Sequence, residues 1–408
     1  MPKVSTLPNG LTIIVDEMPH VKSVAYELVV PGGVILDEES RIGESLVLAE
    51  LIGRGAGNYD SKALSDAFEE KGMLHGESAL NDRFILRGQL LPENIDRALE
   101  LLSLMVLEPK LPEDEIDDIR SLLLQDIASL SDSPGRLASV ETAKRYFPAP
   151  YNRPGCGEEA GLNAVNGDSI REVWSRCFRP KGAVISFAGD VTLAQIEKMV
   201  GRYFGKWSGE GRSLPAFAGQ KDRFNHHCQH ESAQTQIVIA MPSAPFGHPH
   251  FYAAKVASVI LSGGMFGRLF IEVREKRGLC YSVFYRHAGV KQYGLATLYA
   301  GTTPERSHET IQVSMDELNR LVGTVSNLEL ERARANVKSS LIIGEESSSG
   351  RASSNASDWW LCGRVRGLDE ILRGINSVTG EHIDLLFSEY PPDNYSIVTL
   401  GDRSKMAN

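Results

Sequence analysis

A chain of 408 residues, 42% hydrophobic and 24% charged, is long enough for two domains and has the make-up of a folded protein with a proper core. Its net charge of −10 excludes nucleic acid or an anionic membrane as the main partner, because phosphate binding takes clustered Lys and Arg. No apolar run approaches the roughly 18 residues of a membrane span, and the scattered Cys156, Cys177, Cys228, Cys280 and Cys362 form no C-x-x-C pair, which excludes a disulfide framework or a zinc ribbon and fits free thiols.

The opening MPKVSTLPNGLTIIVDEMPH has no apolar stretch ending in a small-residue cleavage site, so no signal peptide is expected. The expected location is cytoplasmic, or periplasmic if a leader has been removed. LTIIV, SVAYELVV and RFILRGQLL follow as strands, mixing β-branched and aromatic residues between Gly, Pro and Asn. Pro92-Glu93 then opens a helical pattern, PENIDRALELLSLMV, and a second acidic helix start, PEDEIDDIRSLLLQDI, runs into the polar bend DSPGRLAS. AVISFAGD (183–190) adds a late strand. The stretch 209–229, rich in Gly, Pro and polar residues, is expected to be a linker. Beyond it come the strands TQIVIAM, YSVFYR and LATLYA, the helices PERSHETIQVSMDELNRLV and SNLELERARANVKSSLI, the bend SSSGRASS, and a last strand in NYSIVTLGD (394–402).

The second series repeats the first. Pro92 and Pro304, Arg120 and Arg334, and Gly135 and Gly350 are matched landmarks at offsets of 212, 214 and 215, the mark of a duplicated unit. Strands and helices mix without strict βαβα alternation. The fold expected is therefore α+β: two duplicated domains, 1–208 and 230–408, each an open, largely antiparallel sheet with helices packed on one face.

With this order of elements the residues resemble the pitrilysin/insulinase family of zinc metallopeptidases, which includes the mitochondrial processing peptidase. LPNGLTIIV resembles its first strand, PGGVILDEESRIGESLVLAELIGRGAGNYDSKALSDAFEEKG the segment around its catalytic helix, and FAGDV and YFGKW the end of its first domain. LSGGMFGRLFIEVREKRGLCYSVFY is similar to its second-domain signature. The family's zinc motif is an inverted H-x-x-E-H on a helix with a later acidic ligand, two His and a carboxylate holding zinc while the Glu serves as base. Here those positions read Leu46, Ala49 and Glu50, with Asp126 in LLLQDI at the later position. A Leu cannot ligate zinc and an Ala cannot take a proton. What the resemblance implies is a zinc-lacking subunit, without metal of its own and inactive alone.

The second-domain motif is retained. In the family an Arg and a Tyr seven residues apart hold the substrate backbone and stabilise charge on the attacked carbonyl. Arg274 and Tyr281 meet that spacing, a cationic donor fork and a neutral donor suited to an oxyanion. In two-subunit members the zinc comes from one subunit and this pair from the other. The implied function is a non-catalytic subunit of a heterodimeric peptide-processing metallopeptidase, forming half a chamber, with a zinc-bearing homologue as partner and peptides as substrates. The alternative is an inert scaffold or peptide-binding homologue acting as a homodimer. Other features read as ordinary structure. His226, His227, Cys228 and His230 stand beside a strand start without a second ligand group at zinc spacing. His75 falls where the family has an edge strand that pairs with substrate. Gly263 and Gly264 fit a tight turn, and Lys276 and Arg277 are surface charges.

Overall fold

Apolar runs bounded by turn residues become strands along the chain. The computed structural model describes residues 2–405. In its first half β1 (Lys3–Thr6), β2 (Thr12–Glu17), β3 (Val24–Pro31), a two-stranded ribbon of β4 (Gly55–Ala56) and β5 (Tyr59–Asp60), β6 (Leu74–Ala79), β7 (Arg83–Leu90) and β8 (Val184–Gly189) appear in order. Six of these build one sheet, ordered β1-β2-β8-β3-β7-β6, with only β2 and β8 parallel. In the second half β9 (Asn225–Gln229), β10 (Thr235–Ser243), β11 (Cys280–Gly289), β12 (Gly294–Thr302) and β13 (Ser396–Gly401) form a sheet ordered β11-β12-β10-β13-β9. Read from its far end, the second order repeats β2-β8-β3-β7-β6, and again only one pair, β13 with β9, is parallel. The fold is the duplicated α+β arrangement expected from the repeat.

Each sheet packs one face on helices of its own half. In the first unit Ile13, Leu28 and Val30 meet Leu99, Val173 and Phe204. In the second, Ile237, Ile239 and Leu298 meet Val256, Leu261 and Leu386. The other face is also covered, which the sequence did not reveal. The helix Ser348–Cys362 lies on β3 and β8 of the first unit, setting Ala352 and Ala356 against Ala25, Val29, Val184 and Ala188. Correspondingly, the helix Pro134–Tyr146 lies on β10 and β13, with Ala138 against Val238 and Leu400. Small residues bring these helices close to the sheet.

The compact units are consequently discontinuous rather than the contiguous 1–208 and 230–408. One comprises the chain to Ala128, Arg153–Pro215 and Gly344–Gly367; the other comprises Ser129–Asn152, Ala216–Ile343 and Leu368 onward. The two polar bends hid this arrangement. DSPGRLAS and SSSGRASS are helix starts, with Pro134 at the first helical position and the Ser347 hydroxyl accepting from Gly350 N at 3.0 Å. The expected linker also ends early, since Asn225–Gln229 is strand β9, paired with β13. Among the described residues no helix is long and apolar enough to cross a membrane.

Candidate functional site

The helix that carries Leu46, Ala49 and Glu50, Glu44–Leu51, begins at Gly43 in a left-handed conformation (φ 114°). Its start is fixed by buried acids. Asp37 accepts from Gly43 N at 2.7 Å, Ser45 N at 3.2 Å and the Ser45 hydroxyl. Burial pushes the Asp37 carboxyl up to about 7, against the pull of those donors. Glu44, fully buried, is clasped by Arg41 Nε and Arg176 Nη2, each at 2.7 Å. The helix packs against the edge strand β6 and against the helix Ile116–Ala128, which holds Asp126. The elements that would frame a metal site are thus adjacent. The side chains on them are the wrong chemistry for zinc: Leu46 is half-buried hydrocarbon, Ala49 is 6% exposed, and Glu50 is a lone carboxylate turned to solvent. Among the described residues no three His, Cys, Asp or Glu gather as a metal group. These positions do not fit zinc.

Beside this helix, β6 ends the sheet, bonded only to β7. His75 on β6 stacks on Phe68 (centroids 4.1 Å apart) and its Nδ1 meets Glu77 Oε1 at 2.9 Å. Glu77 escaped the sequence reading, although its two-residue spacing from His75 on a strand puts both on one face.

Arg274 and Tyr281 are brought together in the second unit. Arg274 sits in the π-helical turn Phe270–Glu275, with its guanidinium carbon 4.9 Å from the Phe270 ring and 4.9 Å from the Tyr281 ring. A bulge makes the pairing work. The β11–β12 register shifts between Cys280 and Ser282, so Tyr281 is the extra residue, thrown out of the ladder and 76% exposed. Competing charge is drawn away: Glu272 binds Lys276 at 2.6 Å and Arg277 at 2.8 Å, which hold its carboxyl below the usual range, while the nearest acid to Arg274 is Glu275 at 4.0 Å. Lys276 and Arg277 are surface charges, as read. Next to Tyr281, burial pushes the Cys280 thiol up to about 11, so it stays a neutral thiol.

Arg268 was missed. Its Nε and Nη2 grip Glu329 at 2.6 and 3.0 Å, and its other N–H groups reach Thr324 and the Arg320 carbonyl. The signal was present as S-x-x-E at 326–329, a capping box that starts the helix Asn327–Gly344. The H-H-C-Q-H run does not converge. His227 bonds Thr399 at 2.9 Å, His230 bonds the Ser131 carbonyl at 3.1 Å, and Cys228 packs beside Ala138 and Leu400. Gly264 takes φ 94° and Gly263 closes a helix end, a turn that leaves Met265 and Phe266 exposed.

The chain is similar to known proteins along nearly its whole length. Residues 12–147 match the family description Insulinase (Peptidase family M16), and residues 164–337 match Peptidase M16 inactive domain. An uncharacterized zinc protease of Bacillus subtilis is 26% identical over 413 residues, covering 100% of both chains. Another from Streptomyces coelicolor is 26% identical over 93% of this chain and 85% of its own. Two solved structures share the fold. A peptidase M16 inactive domain from Pseudomonas fluorescens has a TM-score of 0.90 at 21% identity, covering 98% of each chain. A protease from Helicobacter pylori has a TM-score of 0.89 at 18% identity, covering 98% of this chain and 99% of that one.

Proposed function

The chain belongs to peptidase family M16, and from that premise we propose that it is a non-catalytic, zinc-less subunit that lends Arg274 and Tyr281 to the active site of a zinc-bearing homologue. The observation that carries this reading is the Arg274–Tyr281 pair itself. An exposed tyrosine on a bulge, stacked at 4.9 Å on a guanidinium whose nearest acid, Glu275, stands at 4.0 Å while Glu272 is held by Lys276 and Arg277, presents a hydroxyl and a cationic fork outward. Packing alone asks for neither. The arrangement suits a carbonyl oxygen that gains charge during peptide hydrolysis, while the edge strand β6 offers free backbone groups for an extended peptide.

The Leu46, Ala49, Glu50 and Asp126 positions argue against catalysis by this chain alone, so zinc is assigned to the partner, and the working assembly is a heterodimer acting on peptides. The test is peptide cleavage by the reconstituted pair, with kcat and KM measured separately. Tyr281→Phe removes only the hydroxyl and should lower kcat by roughly 10²–10³, the usual loss for one oxyanion donor. Arg274→Lys keeps charge without the fork and should rescue only part of the loss seen with Arg274→Ala. Arg277→Ala, outside the pair, should change little. If Tyr281→Phe and Arg274→Ala both leave kcat/KM within about twofold, the chain is a scaffold or a peptide-binding homodimer instead.

A further inference from the structure

The duplication supplies an internal control, because each sheet can be compared position by position with its copy. On the face covered by the helix from the other half of the chain, one row across the first sheet reads Ser186 on β8, Glu27 on β3, Arg87 on β7 and Gly76 on β6. The matching row of the second sheet reads Val398 on β13, Val238 on β10, Tyr299 on β12 and Phe284 on β11. The covering helices differ in the same sense, with Ser353 where the copy has Ala138. The second unit therefore builds this spot as an apolar cluster, with Val238 1% exposed beside Ala138 and Leu400 and with Phe284 stacked on Tyr299 at 4.9 Å. The fold does not need a carboxylate here.

In the first unit the spot is charged and open. Glu27 is 5% exposed on a central strand and makes no ion pair within 4.0 Å among the described residues. Burial raises its carboxyl above the ordinary range, and the help comes from the Ser353 hydroxyl, with Arg83 and Arg87 acting at longer range. Its cross-strand neighbour Ser186 has a buried hydroxyl without a hydrogen-bond partner among the described residues. A lone buried acid beside an unsatisfied hydroxyl is costly. Around it lies a groove of about 410 Å³, bordered by Arg87, Gln89, Ser353, Leu74 and His75. The groove reaches β6 at Leu74 and His75, and the next residue, Gly76, stands where the copy has the ring of Phe284. A side chain there would meet only Arg87, at 3.7 Å from its Cβ, so packing does not require the glycine.

We infer that this groove is a binding site for the positively charged group of an extended peptide, an N-terminal ammonium or a Lys or Arg side chain, with Glu27 as its counter-charge. The cation enters at the sheet edge beside Leu74 and His75 and ion-pairs with Glu27. The Ser353 hydroxyl turns to it, and Arg87 and Gln89 at the rim take acceptors on the peptide backbone. The inference rests on the peptide-binding part of the proposed function and adds the ligand's charge and the residue that reads it.

The experiment measures fluorescence anisotropy of three short peptides on the full chain: one with a free N-terminus and no basic side chain, one acetylated with an internal Lys, and one acetylated with norleucine in place of that Lys. Wild type should bind one or both charged peptides at least about tenfold more tightly than the neutral one, as expected for a charge-assisted contact. Which charged peptide wins identifies the source of the cation. Glu27→Gln, which keeps shape and hydrogen bonding, should bring the ratio to within about twofold. Gly76→Phe, which sets a ring beside the entrance residues Leu74 and His75 as Phe284 does in the copy, should do the same if Glu27→Gln fails to fold. Equal binding of all three by wild type, or a ratio unchanged by folded Glu27→Gln or Gly76→Phe, overturns the site while leaving peptide binding intact. If no peptide binds, agmatine is titrated calorimetrically. Binding to wild type but not to Glu27→Gln keeps the cation site and sinks the peptide reading; no binding overturns the site.

Discussion

At the scale of single residues, the chemistry of the first unit turns on Leu46, Ala49 and Glu50, which the proposed function sets where a zinc-bearing relative carries its ligands and base. The helix Glu44–Leu51 is anchored as firmly as a catalytic helix would need, by Asp37 across Gly43 and Ser45 and by Arg41 and Arg176 on Glu44. The scaffold persists while Leu46 and Ala49 have no donor atoms to offer. Elemental analysis of tag-free protein should therefore find no stoichiometric zinc at this position, and about one zinc per chain, lost on Glu50→Ala or Asp126→Ala, would refute that expectation. These substitutions were readable from the sequence because a missing donor group is a property of the residue alone. The orientation of Tyr281 was not, because it depends on a bulge that only the pairing of β11 with β12 creates.

Among the elements, the helix Asn327–Gly344 shows how the second-domain signature is held in place. Arg268 from that signature crosses to Glu329 at the helix start, 14% and 29% of their side chains being exposed. Burial alone would raise the Glu329 carboxyl, but the Arg268 guanidinium and then the Ser326 N–H and hydroxyl hold it down at about 2. A carboxyl whose folded value lies below its ordinary 4.5 gives stability that is present above that value and lost as pH falls through about 2. Glu329→Gln should thus cost about 1–3 kcal/mol near neutrality, leaving the Arg268 charge half-buried and unpaired. Urea unfolding at pH 6, 4 and 2.5 should show the gap between wild type and variant narrowing as the pH drops. A gap that stays constant would mean the loss comes from packing. The acidic start in SNLELERARANVKSSLI located this helix correctly, while the Ser326–Glu329 capping box went unread. The partner was invisible because Arg268 lies 61 residues away.

Taken whole, the molecule is a duplication in which neither contiguous half carries its full complement of elements. The sheet of the first unit lacks a cover on Ile14, Val29 and Val184 until the helix Ser348–Cys362 arrives, fastened by Trp360 Nε1 to Asp82 at 2.9 Å and by Arg351 Nε to Asp16 at 2.9 Å. Residues 1–208 expressed alone should expose that face, bind a hydrophobic dye and aggregate. A chain of 1–128, 153–215 and 344–367 joined by flexible linkers should be a soluble, cooperatively unfolding unit, and a soluble, well-folded 1–208 fragment would contradict this account. The full chain is also expected to dimerise, with itself or with a zinc-bearing homologue; monomers at tens of micromolar in size-exclusion chromatography, with and without that homologue, would count against it. What the sequence determined by itself is what depends on local pattern and residue chemistry: the α+β class, the repeat, the order of strands and helices, the absence of donor atoms at Leu46 and Ala49, and the seven-residue spacing of Arg274 and Tyr281. Only the tertiary structure decided which sheet each of the helices Pro134–Tyr146 and Ser348–Cys362 covers, and that Glu27 is buried without an ion-pair partner where the copy has Val238. Both depend on which residues distant in sequence become neighbours, and hydrophobic periodicity records the face a residue turns inward without recording what it meets there.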